Sequence, residues 1–166
     1  MYFLAWLENT SFSTFVRESE LFYYFLFLHS VGMGFLVGTN AMIDLRILGF
    51  APRLPLAPMD RFFRIMWFGF WVNAVTGVVL LAQAATTHLM DPVMYIKLTS
   101  VALAVVMIPK LRSHASRSGT NPHTTPVATP GKILAATSLA LWALAITCGR
   151  LTAYEFYRGT LLQHWK

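Results

Sequence analysis

The stretch from Leu21 to Ile43 contains no Lys, Arg, Asp or Glu, and it constrains the fold more than any other feature of the chain. Because an α-helix rises about 1.5 Å per residue, a helix over this stretch can cross a hydrocarbon core of about 30 Å. Uncharged runs in soluble helices are usually shorter. We therefore predict a membrane-spanning helix at residues 21–43.

The composition supports a membrane protein. The 166 residues are 56% hydrophobic and 12% charged, whereas soluble domains carry about a quarter charged residues. The length fits a single domain over residues 1–166. The one cysteine, Cys148, lies in an apolar segment and does not indicate a redox compartment.

Three further apolar segments complete a predicted all-α bundle of four transmembrane helices, at about 21–43, 61–85, 93–110 and 131–154. Prolines at 52, 55 and 58 interrupt the chain after the first helix. Residues 112–130 are rich in Ser, Thr and Pro, and we predict a flexible cytoplasmic loop there. Residues 1–19 mix aromatic and polar side chains, which favours a segment lying in the membrane interface.

The distribution of Lys and Arg predicts the orientation of the bundle. Eight of them lie on the side of the first and third connections: Arg46, Arg53, Arg61, Arg64, Lys110, Arg112, Arg117 and Lys132. The other side has Arg17, Lys97, Arg150, Arg158 and Lys166. This excess predicts an N-out and C-out protein of the bacterial inner membrane. The net charge of +6 is therefore explained by the orientation of the protein in the membrane. We expect no nucleic acid partner.

Ionisable residues within the predicted spans are candidates for function, because an unpaired charge at the bilayer centre costs about 2.5–3.5 kcal/mol. His29, Lys97 and Arg150 lie toward the predicted outer half, and Gln83 and Asn73 approach from the second helix. We expect these side chains to form an outward-facing polar pocket. Structural alternatives stay open: Lys97 and Arg150 can anchor at the interface, and His29 can bond to a neighbouring helix.

Glycines predict where the helices approach each other. Gly69, Asn73 and Gly77 recur every four residues and share one face of the second helix. On the first helix, Gly34 and Gly38 form a pattern typical of close helix packing.

A b-type haem is the most specific cofactor that the sequence suggests. A bis-histidine site needs two imidazoles from facing helices and small residues beside the porphyrin. His29 and Gly32 supply half of such a site, with His29 as an iron ligand, and His88 is the candidate second ligand. A quinone is the other candidate occupant of the pocket. The methionines are scattered and form no thioether cluster of the kind that Cu(I) favours.

Several short motifs together resemble a family of four-helix bacterial membrane proteins whose domain has no assigned function. They are Trp6-Leu7-Glu8, Val16-Arg17-Glu18-Ser19, His29-x-x-Gly32, Val37-Gly38, Asp44-Leu45-Arg46-Ile47-Leu48-Gly49, Lys97-Leu98 and Gly149-Arg150-x-x-Ala153-Tyr154. The resemblance covers nearly the whole chain except the loop at 112–130, and it implies a bundle in the inner membrane. More distantly, the layout is similar to cytochrome b561-type and copper-resistance membrane domains, although a second mid-helix histidine is missing.

These features favour a non-catalytic membrane subunit, since the sequence has no P-loop, nucleophile elbow, zinc-type Cys/His spacing or paired carboxylates. We expect it to serve electron transfer on the periplasmic side by holding haem or quinone, or by docking a redox partner. Transport or handling of a small solute or metal ion is an alternative, and so is a structural anchor in a larger complex. The expected partners are the lipid bilayer and other membrane or periplasmic subunits, or a second copy of the chain.

Overall fold

The computed structural model describes residues 2–50, 59–118 and 129–163, which form seven helices and, within these ranges, no strand. The helices are α1 (Tyr2–Glu8), α2 (Ser11–Glu18), α3 (Leu21–Leu48), α4 (Met59–Ala82), α5 (Ala85–Met90), α6 (Pro92–Ser118) and α7 (Thr129–Gln163). By length and composition, four of them can cross a membrane: α3, α4, α6 and α7. The predicted all-α protein with four transmembrane helices is confirmed.

The first span is longer than its uncharged run. Asp44 and Arg46, which were expected to follow the helix, lie inside α3 and are buried. The helix ends at Gly49, which has a φ of 104° and donates its N–H to the carbonyl of Arg46. Glycine adopts this left-handed conformation without the steric penalty of a side chain. The prediction ended the helix too early because it treated a charged residue as a boundary, whereas neighbouring helices bury these side chains.

Other boundaries also differ from the predicted ones. The second span ends at Ala82, and the short helix α5 occupies part of the predicted link to the third span. The helix α6 continues to Ser118, so the first part of the predicted loop at 112–130 is helical. Residues 119–128 of that loop and the proline-rich connection at 51–58 lie outside the described residues. The predicted interfacial segment at 1–19 forms α1 and α2, and Thr10 caps α2 by accepting a hydrogen bond from the backbone N–H of Ser13.

The bundle is organised around two extensive helix pairs, α3 with α4 and α6 with α7, and α3 also packs on α7. The core between them is apolar; its largest buried members are Leu36, Ile43, Ile47, Met66, Ile108, Leu111 and Trp142. Large apolar side chains cover the outside of the spans: examples are Phe27, Phe35, Phe68, Trp71, Val78 and Val106. An apolar exterior over an apolar core is what a lipid environment permits.

Two glycines set the contact between α3 and α4. A Cβ added at Gly32 would lie 2.8 Å from the backbone N of Asn73 and 3.0 Å from the carbonyl O of Gly69. A Cβ added at Gly69 would lie 2.9 Å from the carbonyl O of Gly32. This contact lies on the face of the second helix that Gly69 shares with Asn73 and Gly77. The prediction for Gly34 and Gly38 is wrong within the bundle, since a Cβ at either position meets nothing within 4 Å.

The bundle has two ends. The histidine end is where α3 and α6 begin and where α4 ends, and the aspartate end is where α3 finishes near Asp44. At the histidine end, α1 contacts α5 and α2 contacts α3, so the N-terminal helices lie against the bundle. The Glu8 carboxylate accepts hydrogen bonds from the backbone N–H of Thr86, at 3.1 Å, and from its hydroxyl. The N-cap residue of α5, Ala84, has no side chain that can accept a hydrogen bond from the first turn. The Glu8 carboxylate of α1 takes this role by accepting from the backbone N–H of Thr86.

Candidate functional site

His29 is fixed to α4 by a reciprocal pair of hydrogen bonds. Its Nδ1 lies 3.0 Å from the carbonyl O of Asn73, and the Nδ2 of Asn73 donates to the carbonyl O of His29 at 2.8 Å. Because a carbonyl only accepts, Nδ1 carries a proton and donates it, which leaves the Nε2 of a neutral imidazole as an acceptor. The Thr76 hydroxyl lies 3.1 Å from the same Nδ1. The sequence predicted that Asn73 lies near His29. In the structure, the backbone carbonyl of Asn73 orients the imidazole ring.

The neighbouring glycine makes room for the ring. A Cβ added at Gly77 would lie 3.0 Å from the Cε1 of His29. The three residues on this face of α4 have different roles. Gly69 allows the α3 backbone to pack closely, Asn73 hydrogen-bonds to the imidazole of His29, and Gly77 leaves space for that ring.

Lys97 is a half-buried cation in the third span, and its stem lies on α7. A Cβ added at Gly149 would lie 3.5 Å from the Cε and 3.6 Å from the Nζ of Lys97. Among the described residues, no hydrogen-bond acceptor or carboxylate partner is recorded for this ammonium group. It lies within electrostatic range of both His29 and His88. The structure therefore gathers these three predicted site residues, which come from α3, α5 and α6.

His88 lies on the short helix α5, outside the spans, and it makes a further interaction of its own. Burial lowers the pKa of its imidazole, and the ammonium group of Lys97 lowers it further. The carboxylates of Asp91 and Glu8 oppose this effect and raise the pKa. His88 is consequently held toward its neutral form at the histidine end.

Two other predicted site residues lie elsewhere. The space beside Gly32 is filled by the α4 backbone, so helix packing replaces the predicted approach of a porphyrin at this glycine. Arg150 is exposed, although Gly149 before it touches Lys97. The exposed position of Arg150 suits an interfacial anchor, one of the roles that the sequence left open.

The histidine end also contains Gln83, which the sequence placed on this side, and three polar groups that it did not place in the site: Glu8, Arg17 and Asp91. Arg17 donates to the carbonyl O of Gln83 at 3.3 Å, and its Nη1 lies 3.9 Å from the Oε1 of Glu8. The Oε1 of Gln83 and the Oδ2 of Asp91 are buried with no recorded partner. These groups join α1, α2 and α5 into a polar cover beside His88. No spacing in the sequence indicates contacts between residues so far apart.

The orientation of His29 is compatible with a haem ligand, whereas the space beside Gly32 leaves no room for a porphyrin. A backbone carbonyl that accepts from Nδ1 is a common means of orienting an imidazole whose Nε2 binds a metal. His29 has this arrangement. Within residues 2–50, 59–118 and 129–163, no group of three or more His, Cys, Asp or Glu side chains could hold a metal ion.

A second polar cluster lies at the aspartate end and was missed from the sequence. Asn40, Asp44 and Ser138 are 2%, 0% and 0% exposed. The Nδ2 of Asn40 donates to the Oδ2 of Asp44 at 2.5 Å and to the Oγ of Ser138 at 2.8 Å. The spacing of Asn40 and Asp44 by four residues could have indicated this cluster, had the first helix been extended past its uncharged run.

Comparisons with known proteins return no family model, no curated protein and no solved structure that matches the chain. The resemblance to four-helix bacterial membrane proteins therefore stays a prediction.

Proposed function

We propose that the protein is a non-catalytic membrane subunit that holds a quinone between Lys97 and His29. The observation that carries this proposal is the half-buried ammonium group of Lys97, for which no acceptor is recorded among the described residues. A cation in an apolar span needs an acceptor to offset its lost hydration. A quinone is soluble in lipid and has carbonyl oxygens that accept hydrogen bonds.

His29 complements Lys97 in this role. Its Nδ1 is committed to Asn73, so its Nε2 is an acceptor for the hydroxyl group of a quinol. Lys97 thus favours the oxidised head group, to which it can donate, and His29 favours the reduced head group, from which it can accept. Reduction of a quinone takes two electrons and two protons. The residues of this chain can bind the head group and exchange protons, and a redox partner subunit supplies or removes the electrons.

The orientation of the bundle belongs to the same proposal. The eight-to-five distribution of Lys and Arg supports a histidine end on the periplasmic side of a bacterial inner membrane. A partner on that side would meet the polar cover formed by α1, α2 and α5.

Haem b is the second candidate, because the bond from Nδ1 of His29 to a backbone carbonyl also suits an axial ligand. His29 would then ligate through Nε2, with His88 as the second imidazole. Bound haem supplies one-electron chemistry.

Binding of a short-chain quinone to the purified protein in detergent tests the proposal. Lys97→Met keeps a long flexible stem and removes the charge, while Arg150→Met removes an exposed cation from the same end as a matched control. A hydrogen bond to a charged group contributes about 1.5–3 kcal/mol, so Lys97→Met should weaken binding about tenfold to a hundredfold. Arg150→Met should bind like the parent.

The alternatives give distinct results in this experiment. A Soret band in the parent, lost in His29→Gln, indicates haem in place of quinone. A parent protein that binds neither group refutes both candidates and leaves transport or a structural anchor. Equal quinone binding by Lys97→Met and the parent refutes the role of Lys97.

A further inference from the structure

The cluster of Asn40, Asp44 and Ser138 is separate from the proposed quinone site. Asp44 lies fifteen residues beyond His29 on α3, a distance of about 22 Å along the helix. The buried apolar side chain of Leu36 lies between them on α3. The cluster instead joins α3 to α7 at the aspartate end, through the contact between Asn40 and Ser138.

Asp44 has one satisfied and one unsatisfied oxygen. Its Oδ2 accepts from Asn40, and Ser138 also hydrogen-bonds to the carboxyl group. Its Oδ1 is buried without a recorded partner. Both partners are neutral, so neither of them offsets a full negative charge on Asp44.

The charged groups around Asp44 do not supply the missing positive charge. On its own helix, Arg46 is engaged in another interaction. On the helices packed against α3, the basic residues nearest this end are exposed: Arg61 and Arg64 of α4, Lys110 and Arg112 of α6, and Lys132 of α7. The remaining neighbour, α2, precedes α3 at the other end. The ion pair between Glu8 and Arg17 lies at that other end.

We propose that Asp44 is an exchangeable proton-binding site at the contact between α3 and α7. An isolated carboxylate in a buried, apolar setting is much less stable than the same group carrying a proton. A proton needs no cavity, and one carboxyl group with two neutral neighbours is too weak a ligand set for a divalent ion. An amide and a hydroxyl can each donate or accept, so both protonation states of Asp44 retain partners.

Such a site has a functional meaning in a membrane. Ionisable residues within spans commonly mark proton pathways, because they change charge where few other groups can. Here the proton joins or leaves a carboxyl group that lies directly between two helices, so its charge affects the packing of α3 on α7. This inference does not depend on the proposed quinone site.

Infrared difference spectroscopy of the purified protein measures this protonation directly. The chain has three aspartates, Asp44, Asp60 and Asp91, so carboxyl-labelled ¹³C-aspartate isolates a small set of signals. Asp44→Asn then identifies the signal of Asp44. We expect the carbonyl band of a protonated carboxyl group that gives way to carboxylate bands as the pH is raised from mildly acidic to alkaline.

A matched pair of variants tests the surroundings of the carboxyl group. Ser138→Ala removes a hydroxyl that contacts the cluster, whereas Thr137→Ala removes an exposed hydroxyl that bonds within its own helix, to the carbonyl of Ile133. A net hydrogen bond contributes about 0.5–1.5 kcal/mol, so Ser138→Ala should change the proton affinity of Asp44 about twofold to tenfold. Thr137→Ala should leave it unchanged.

Two results would overturn the inference. One is a carboxylate signal for Asp44 at every pH, and the other is a protonated carboxyl that never releases its proton. If Asp44→Asn fails to fold, the labelled parent and the Ser138→Ala protein still decide the question. The aspartate signal that Ser138→Ala displaces and Thr137→Ala does not is then assigned to Asp44.

Discussion

The contact between Gly32 and Gly69 offers the most direct test of the fold, through the substitution Gly32→Ala. The new methyl group would lie 2.8 Å from the backbone N of Asn73, 3.0 Å from the carbonyl O of Gly69 and 3.1 Å from the Cγ1 of Val72. Ordinary contacts begin at 3.4 Å, so α3 and α4 must separate by about 0.6 Å. The closest atoms belong to backbone, which cannot rotate away as a side chain can.

The expected loss follows from this separation. A gap of about 0.5–1 Å removes a quarter to a half of the dispersion energy of each affected contact. Overpacking of this kind usually costs about 1–3 kcal/mol. The separation would also lengthen the hydrogen bonds between His29 and Asn73, which lie one turn away. We expect Gly32→Ala to lower the free energy of unfolding by an amount within that range.

Chemical denaturation in detergent, followed by circular dichroism, measures the effect. Gly34→Ala is the matched control, because its methyl group meets nothing within 4 Å. Alanine favours a helix over glycine by about 0.5–1 kcal/mol, so the control should be neutral or slightly stabilised. The double variant Gly32→Ala/Gly69→Ala should lose less free energy of unfolding than the sum of the losses in the two single variants, since both substitutions separate the same helices. Equal stability of Gly32→Ala and Gly34→Ala would refute the proposed contact.

Two further predictions concern the histidine end. Asn73→Leu removes the donor to the carbonyl O of His29 and should lower the free energy of unfolding by about 0.5–1.5 kcal/mol in the same denaturation assay. Its control is Ser30→Ala, which removes an exposed hydroxyl bonded within its own helix and should have no effect. His88 has its pKa lowered below 6.5 in the folded protein, so the unfolded chain takes up a proton more readily. The contribution of His88 to thermal stability should therefore be fully present above about pH 6.5 and decrease as the pH falls below that value. The substitution His88→Gln should make this decrease smaller. An unchanged pH profile in His88→Gln would contradict this assignment.

The sequence was sufficient for the four spans and for the shared face of Gly69, Asn73 and Gly77, because both depend on short-range periodicity. Long uncharged runs identify membrane helices irrespective of their neighbours. Gly69, Asn73 and Gly77 share a face by helix geometry alone, and the structure places α3 on that face. Which glycines of α3 meet it could not be predicted in the same way. Gly34 and Gly38 were expected to meet a neighbouring helix, and only the rotation of α3 in the bundle selects Gly32 instead.

The polar regions were harder to predict because their members are far apart in the chain. His29 and Lys97 could be nominated as ionisable residues within spans, but their shared surroundings depend on how α3, α5 and α6 pack. Asp44 was placed at a helix boundary by its charge. Its burial depends on Ser138, a residue of α7 that carries no distinctive signal in the sequence.

The bond between Glu8 and Thr86 has a consequence for how the protein is made. These two residues are separated by 78 positions, so the ribosome completes α1 long before its partner exists. Until α5 emerges, the Glu8 carboxylate can meet Arg17 of α2, but not the acceptor-seeking backbone N–H and hydroxyl of Thr86. The helix α2 can contact α3 as soon as α3 has been made, whereas the contact of α1 with α5 needs the chain to be complete through Thr86. This part of the polar cover can therefore form only after both α3 and α4 have been synthesised.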